Sequence, residues 1–245
     1  MKATGYGEHL VQLTRYPRIF PVSVYLVRED DGFTLIDTGL SGSEREILEA
    51  AGRYGGQVRR IALTHAHGDH TGSLDALHRA LPEAEVLMTG REARFLGGEL
   101  ALDPGEPGKL RGYWRPAETR PTRELSPGYR VGSLEVVASP GHTPGHVAFL
   151  DVRDGTLIAG DAFQTRAGTA VSGIVRPLFP FPALATWHLP TALESARALR
   201  ALGPSRLAVG HGPVLEDPLP VMDRAIGVAG RKVGDRLRQV ARSVA

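Results

Sequence analysis

The segment at residues 64–70 carries the strongest chemical signal in the chain and reads Thr64-His65-Ala66-His67-Gly68-Asp69-His70. It follows a short apolar strand predicted at residues 60–64. On an extended segment His65 and His67 project to the same side, as two ligands of one metal ion should. Gly68 permits a tight turn, after which the last two residues project toward a second point. The segment therefore predicts a metal site, with a solvent-exposed loop as the alternative.

Three further candidate ligands lie at the ends of predicted strands elsewhere in the chain. They are His142 in Gly141-His142-Thr143-Pro144-Gly145-His146, Asp161 in Ala159-Gly160-Asp161, and His211 in Gly210-His211-Gly212. Sites in α/β proteins are built from loops at sheet edges, so these side chains can meet the histidine segment. Because the chain has no cysteine, every protein ligand has to be an imidazole or a carboxylate.

Strands and helices alternate along the chain, which predicts an α/β fold. Strands at residues 22–27 and 33–36 are joined by a turn. A helix then begins at Ser43, because Ser43 and Glu46 match a capping box. Between residues 97 and 128 the pattern dissolves into glycine and proline, which indicates a functional or disordered loop.

Composition and charge exclude several classes of protein. The 245 residues include 29 basic and 27 acidic side chains and are 42% apolar, which excludes a disordered chain. Basic residues are spread among acidic ones, so we expect no nucleic-acid partner. The first ten residues do not resemble a signal peptide, and prolines break the longest uncharged stretch, residues 177–193. We therefore expect a cytoplasmic protein without a membrane partner. The tail at residues 221–244 is basic and is interrupted by glycines, and we expect its apolar face to pack on the domain.

These motifs, together with Leu35-Ile36-Asp37-Thr38-Gly39, resemble in order and spacing the five motifs of the metallo-β-lactamase fold superfamily, which includes glyoxalase II and lactonases. The resemblance covers about residues 20–215. It implies an α/β fold of the αββα type, a four-layer sandwich in which two mixed β-sheets are flanked by helices. We expect one such domain over residues 1–245, with a helical segment at about 220–244.

The resemblance also implies a binuclear metal centre and assigns its ligands. The ligands of the first ion would be His65, His67 and His142. Those of the second would be Asp69, His70 and His211, with Asp161 shared between both ions. Asp37 would accept hydrogen bonds behind the metal loop.

The chemistry expected of such a centre is hydrolysis. Two divalent ions about 3.5–4 Å apart lower the pKa of a shared water, so that a bridging hydroxide can attack a carbonyl. Nitrogen and oxygen ligands suit zinc, with iron and manganese as alternatives. Asp69 is placed to orient the hydroxide or to protonate the leaving group, and we assign it catalytic proton transfer.

The predicted function is a dinuclear metal-dependent hydrolase that attacks an ester-like carbonyl (a carboxylester, lactone or thioester) of a small molecule. The alternatives are a mononuclear iron persulfide dioxygenase-like enzyme, a β-lactamase or phosphodiesterase, and a non-enzymatic metal-stabilised binding module. Secreted β-lactamases carry a signal peptide, and glyoxalase II carries a helical domain for which the chain after His211 is short. Gln164 stands where lactonases typically place a tyrosine, which weakens that interpretation.

Apolar and aromatic residues on two loops are the candidate walls of the substrate pocket. The candidates are Tyr16, Ile19, Phe20, Gln164, Phe179, Phe181 and Trp187. Packing in the core is the alternative for the aromatic residues after Asp161. Tyr113 and Trp114 could form a lid or a dimer contact, so a homodimer stays open. His146 is expected to support the loop that holds His142, and His188 to be structural.

Overall fold

The computed structural model describes residues 1–244 of the chain and the side chains of residues 1–239. Seven strands form a first sheet in the order in which they follow one another along the chain. They are β1 (Lys2–Tyr6), β2 (Leu10–Arg15), β3 (Val22–Glu29), β4 (Gly32–Ile36), β5 (Val58–Ala62), β6 (Glu85–Thr89) and β7 (Arg123–Leu125). Neighbours from β1 to β4 are antiparallel, whereas β4 to β7 run parallel.

Six strands form a second sheet, in the spatial order β15-β14-β11-β10-β9-β8. They are β8 (Arg130–Val131), β9 (Leu134–Ala138), β10 (Val147–Asp151), β11 (Thr156–Ile158), β14 (Arg206–Ala208) and β15 (Leu215–Glu216). Only β11 and β14 pair in parallel; the other neighbours in this sheet are antiparallel. Two short strands, β12 (Phe163–Gln164) and β13 (Ala170–Val171), form a separate hairpin.

Seven helices cover the sheets in the described part of the chain. They are α1 (Glu44–Arg53), α2 (Gly68–Thr71), α3 (Leu74–Ala80), α4 (Gly90–Leu96), α5 (Phe181–Leu184), α6 (Leu189–Ala201) and α7 (Leu219–Val244). Apolar residues of α1, α3 and α4 pack on the first sheet, and those of α6 and α7 pack on the second. A third cluster joins the two sheets to each other. The architecture is the predicted αββα sandwich.

Strand periodicity explains the layers. Successive side chains of a strand point to opposite faces of the sheet. On β3, Leu26 packs toward the helices, while its neighbours Tyr25 and Val27 pack between the sheets. On β4, Leu35 likewise packs toward the helices and Ile36 packs between the sheets. Both faces of each sheet are therefore buried, which explains why these strands carry continuous apolar runs.

The helix predicted at Ser43 forms, but without the predicted capping box. The Ser43 side chain makes no capping hydrogen bond to α1 and instead accepts one from Arg15 Nη1 at 3.0 Å. Glu46 pairs with the amino terminus. Tertiary partners thus replace the local cap: Arg15 ends β2, and Met1 directly precedes β1, two strands that the sequence patterns do not predict.

The C-terminal segment is one continuous helix despite its glycines. Met222, Ala225 and Ala229 of α7 are buried against α6 and the second sheet. This burial outweighs the helix propensity lost at each glycine, about 1 kcal/mol. Across residues 1–244, no helix combines the length and apolar character that crossing a membrane requires.

Candidate metal centre

The candidate ligands follow strands that end at one edge of the sandwich. Asp37 comes directly after β4, and His65 comes three residues after β5, its parallel neighbour. In the second sheet, Asp161 comes three residues after β11 and His211 three residues after β14, again parallel neighbours. Parallel strands bring their carboxyl ends to the same edge, so four distant segments meet there.

Three imidazole nitrogens converge at this edge. His65 Nε2 lies 3.1 Å from His67 Nδ1, which lies 3.0 Å from His142 Nε2. All three side chains are buried. Burial lowers the pKa of each imidazole, and for His65 and His142 it lowers the pKa well below the usual value, so the rings are neutral near pH 7.

The position of each proton on these rings follows from the neighbours. Thr64 Oγ1 donates its proton to Asp37 Oδ2 (2.8 Å), so it can only accept from His65 Nδ1 (3.0 Å). His67 Nε2 lies 2.9 Å from the carbonyl oxygen of Arg111, which also can only accept. A neutral imidazole that carries its proton on one nitrogen has a lone pair on the other. The lone pairs of His65 and His67 therefore face each other.

A chain of hydroxyl groups fixes the proton of the third ring. Thr186 donates to the carbonyl of Pro182 (2.7 Å), Ser172 then donates to Thr186 (2.8 Å), and Ser172 Oγ accepts from His142 Nδ1 (2.9 Å). The lone pair of His142 is thus on Nε2. Three lone pairs on nitrogens within 4.8 Å of one another repel unless a cation lies among them, so the donor set fits a metal ion.

A second group of donors lies beside the first and consists of Asp69, His70 and His211. Asp69 Oδ2 is 3.3 Å from His211 Nε2 and 4.0 Å from His70 Nε2. The His70 Nε2 atom is buried and has no hydrogen-bond partner among the described residues. An orphaned buried nitrogen is costly, so it too fits a bound cation.

Asp161 lies between the two groups. Its Oδ2 is 3.4 Å from His142 Nε2 and 3.2 Å from His211 Nε2, while its Oδ1 is 3.5 Å from His70 Nε2 and otherwise unpartnered in the described structure. The Asp161 backbone N–H donates to His146 Nε2 at 3.1 Å. His146, which the sequence analysis assigns to the His142 loop, therefore also holds the loop of Asp161.

The second group carries opposite charges. Burial opposes the charged imidazole, but Asp161 and Asp69 raise the pKa of His211 to about 10. Asp37 and Asp161 likewise raise the pKa of His70 above its usual value against the effect of burial. Burial also opposes the charged carboxylate, yet His211 and His70 hold the pKa of Asp69 below its ordinary value. The carboxylates are thus ionised, as metal ligands must be.

Asp37 contacts the metal loop from behind, as the resemblance implies. Its Oδ1 accepts from the backbone N–H of Thr64 (2.8 Å), and its Oδ2 accepts from the Thr64 hydroxyl and from His70 Nδ1 (2.7 Å). Asp37 is itself in the left-handed region with φ 60°. Through these three bonds one carboxylate orients both groups of donors.

The long loop between α4 and β7 covers the metal segment. Besides the Arg111 carbonyl, the Tyr113 carbonyl accepts from the backbone N–H of Gly68 at 2.8 Å. The Trp114 ring lies edge-on to His67 with centroids 4.4 Å apart. A Cβ at Gly68 would lie 2.5 Å from the Tyr113 ring. Close approach of this loop, in addition to the turn, therefore requires a glycine at Gly68.

A cavity of about 270 Å³ opens over the donors. His67, Asp69, His142, Asp161 and His211 lie at its floor. Its apolar wall consists of Phe20, Leu40, Phe181, Pro182 and Ala185. Tyr113 completes the lining.

Of the predicted pocket residues, Phe20 and Phe181 line this cavity and the others lie elsewhere. Phe179 is buried behind Phe20, with ring centroids 5.5 Å apart. Tyr16 and Ile19 are exposed and border a separate surface hollow. Phe20 instead packs on the rings of Phe181 and His211, with centroids 5.1 and 5.4 Å away, and so reaches the metal edge.

The remaining two predicted wall residues have other partners. Gln164 is buried in the β12–β13 hairpin. Trp187 donates through Nε1 to the carbonyl of Pro107 (2.6 Å) and borders a neighbouring cavity. His188 is structural, since it caps α6 by accepting from Thr191 N–H.

Several residues that orient the donors are missed by sequence reasoning. The carbonyls of Arg111 and Pro21 fix the rings of His67 and His211, and a backbone carbonyl has no residue-type signature. Ser172, which orients His142, lies outside every motif identified in the sequence. Gly112, whose close approach to His67 permits the Arg111 contact, is distant from the metal segment in sequence and becomes its neighbour only in the fold.

A sequence model of the metallo-beta-lactamase superfamily matches residues 17–211, and the chain belongs to this superfamily. Protein YobT of Bacillus subtilis, described as uncharacterized, is 46% identical over 92% of this chain and 97% of its own. The probable metallo-hydrolase YflN of the same organism is 31% identical over 77% and 78% of the two chains. A hydroxyacylglutathione hydrolase of Methylococcus capsulatus is 30% identical over 78% of this chain and 63% of its own.

Solved structures agree with the fold. TTHA1623 in a di-iron-bound form has a TM-score of 0.63 and 28% identity over 85% of this chain and 95% of that chain. The DIM-1 metallo-beta-lactamase has a TM-score of 0.72 at 15% identity over 94% and 97%, which shows a shared fold alone. The histidine and aspartate cluster and the superfamily together indicate a divalent-metal site, and the names of the relatives support a metal-dependent hydrolase.

Proposed function

We propose that this protein is a dinuclear metal-dependent hydrolase that cleaves an ester-like carbonyl, as in a carboxylester, lactone or thioester, of a small molecule. The observation that carries the proposal is the convergence of histidine nitrogens, those of His67 and His142 with inward lone pairs, and ionised carboxylates on the floor of one apolar cavity. The hydroxyacylglutathione hydrolase relative, named for thioester chemistry, favours this class.

The proposed metal ligands fall into the same two groups as the donor atoms, with Asp161 between them. His65, His67 and His142 would hold one ion, Asp69, His70 and His211 would hold the other, and Asp161 would contact both. Bound divalent ions supply Lewis acidity and lower the pKa of water toward neutrality. We propose zinc, with iron as the alternative that the di-iron form of TTHA1623 supports.

The protein side chains supply proton transfer and orientation. Asp69 lines the cavity as an ionised carboxylate, so it can accept a proton there and pass it to the leaving group. Tyr113 is the one lining residue outside the donor cluster that carries a hydroxyl group. We assign it a hydrogen bond to the substrate. The wall around Phe20 and Phe181 suits an apolar substituent next to the carbonyl.

The charge around the cavity mouth also bears on the substrate. Three of the segments that line the cavity, residues 9–28, 107–117 and 162–193, contain no aspartate or glutamate. Each contains arginine, so these three segments carry a net positive charge, while Asp69 and Asp161 lie on the cavity floor. We therefore propose a neutral or anionic substrate and exclude a polycationic one.

A hydrolysis screen of metal-loaded protein tests the proposal. Esters, lactones, thioesters, β-lactams and phosphodiesters are offered to zinc-, iron- and manganese-loaded enzyme. Turnover of an ester, lactone or thioester is the expected result. No turnover with metals present contradicts the proposal, as does one iron per chain with thiol-dependent oxygen uptake, which would identify a dioxygenase.

The Asp69→Asn variant separates an enzyme from a binding module. Loss of the proton-transfer carboxylate should lower kcat by about 100- to 10,000-fold while some metal is retained. The matched control is Asp31→Asn, because Asp31 is exposed and pairs only with Arg60 far from the donors. Equal turnover by both variants would show that Asp69 carries no proton.

A further inference from the structure

A fully buried carboxylate lies behind the donor cluster and takes no part in the mechanism above. Glu92 is on the first turn of α4, is 0% exposed, and has no basic side chain as an ion-pair partner in the described structure. Thr89 and Glu92 match a capping box, in which the glutamate would turn back to the N-cap residue. The Thr89 hydroxyl does accept from the Glu92 N–H (3.4 Å), but the carboxylate of Glu92 turns away from the helix.

The carboxylate of Glu92 accepts hydrogen bonds from two different loops. Its Oε2 accepts from the backbone N–H of Ala66 (2.9 Å), the residue between His65 and His67. Its Oε1 accepts from the backbone N–H of Gly145 (2.8 Å), three residues after His142. One side chain therefore spans the two loops that carry the three converging imidazoles.

The same helix turn makes another bond to the His142 loop. Thr89 Oγ1 donates to the carbonyl oxygen of Gly145 at 2.9 Å, so both polar groups of Gly145 are bound by the N-cap and first turn of α4. A Cβ at Gly145 would lie 3.0 Å from Glu92 Oε1 and 2.7 Å from the Arg91 Cβ. The glycine thus permits the close approach that these bonds need.

The chemistry of the contacts explains why this residue is a glutamate. Burying a carboxylate without a cation is costly, and burial raises the pKa of Glu92 to about 7. Two backbone N–H groups converge on it, and a carboxylate accepts from both. A glutamine offers one acceptor oxygen and directs its NH₂ group at the other donor. Packing alone would not require the costlier residue.

We propose that Glu92 is a positioning residue for the metal centre, and that it fixes the His65–His67 loop and the His142 loop at the separation at which their three nitrogens bind one ion. The inference rests on the proposed ligands. It assigns to α4, which lies outside every ligand motif, the function of orienting the ligand loops. Sequence motifs do not show this function, because Glu92 acts through backbone N–H groups.

The test is the metal affinity of Glu92→Gln, measured on metal-free protein by competition with a chromophoric zinc chelator. Loss of a contact behind the ligands typically weakens affinity by about 10–100-fold, and we expect this range. The absorption spectrum of bound cobalt should shift as well, because it reports the arrangement of the ligands.

The matched control is Glu29→Gln. Glu29 is also a largely buried carboxylate that accepts from the backbone N–H and the hydroxyl of a residue on another loop, Ser133, but it lies away from the donors. Both variants should lose stability, and only Glu92→Gln should lose affinity. Wild-type affinity and cobalt spectrum in Glu92→Gln would overturn the proposal.

If Glu92→Gln does not fold, a less disruptive pair of variants tests the proposal. Thr89→Val removes the bond to the Gly145 carbonyl and should weaken zinc affinity. Thr122→Val removes a hydroxyl that bonds both polar groups of Val86 in the same sheet and should leave affinity unchanged. Equal affinities in this pair would also overturn the proposal. If the wild type binds zinc but hydrolyses nothing, the proposed function fails while the affinity test of Glu92 still holds.

Discussion

Substitution of Gly112 by alanine should disturb the metal centre from a loop that contains no ligand. Gly112 follows Arg111, whose carbonyl accepts from His67, and its φ is +103°. A Cβ there would lie 2.2 Å from His67 Nε2, 2.6 Å from Cε1 and 2.8 Å from Cδ2. Carbon atoms in contact prefer about 3.5–4 Å, so either the ring or the loop must move by roughly 1 Å.

The same loop offers a control that separates this clash from backbone strain. Gly105 has φ +92°, and a Cβ there would meet nothing within 4 Å. Alanine at either position adopts a left-handed conformation, which costs about 1–2 kcal/mol. Both variants should therefore unfold at lower urea concentrations, and the additional loss in Gly112→Ala isolates the contact with His67.

Metal affinity and turnover are the assays. A misplacement of about 1 Å can cost about 100-fold in rate, so Gly112→Ala should lose roughly that factor in kcat and bind zinc more weakly. Gly105→Ala should match the wild type in both measurements. Equal affinity and equal kcat in the two variants would refute the reasoning, because they would show that the loop does not hold the His67 ring.

Three further outcomes are expected. Asp37→Asn leaves His70 Nδ1 and the Thr64 hydroxyl short of an acceptor. The free energy of unfolding of the metal-free protein, measured by urea titration, should therefore fall by about 2–4 kcal/mol. An unchanged value would contradict the role of Asp37. Burial raises the pKa of Glu92 from 4.5 to about 7. The folded state therefore binds this proton more tightly than the unfolded state does. The resulting contribution to the free energy of unfolding is fully present below pH 4.5. As the pH rises to about 7 it is lost, and the loss amounts to up to about 3 kcal/mol. Glu92→Gln should lack that part of the pH dependence, and identical slopes for the two metal-free proteins would contradict the assignment. Tyr113→Phe should raise KM several-fold with little change in kcat if the hydroxyl binds the substrate in its ground state, whereas an unchanged KM would remove it from the binding site.

The fold and the set of converging donors could be predicted because both are encoded in residue types at fixed offsets. His65 and His67 are two residues apart on extended chain, and Asp161 and His211 each follow an apolar run. Such patterns can be recognised without knowledge of the tertiary structure. The structure brings all seven side chains together, and their roles as metal ligands stay a prediction.

The pocket wall could not be predicted in the same way. Ile19 and Phe20 are adjacent apolar residues on one loop, yet only Phe20 lines the cavity. The difference comes from tertiary contacts, because Phe20 packs on the rings of Phe181 and His211 while Ile19 is 82% exposed. Sequence order gives the composition of a loop, whereas the direction of each side chain depends on what the loop packs against.

The orientation of the donors is distributed over parts of the chain that hold no ligand. Each ring is tied through its other nitrogen to a hydroxyl, a carboxylate or a backbone carbonyl, and these partners come from different elements. In His65, His67 and His142 the proton is thereby confined to the outer nitrogen, and the three lone pairs point inward at one another. An arrangement that is repulsive without a cation has to be maintained by the rest of the fold. The stability of the metal-free protein is therefore the quantity that substitutions at Asp37, Gly112 and Glu92 change first, and metal affinity changes with it.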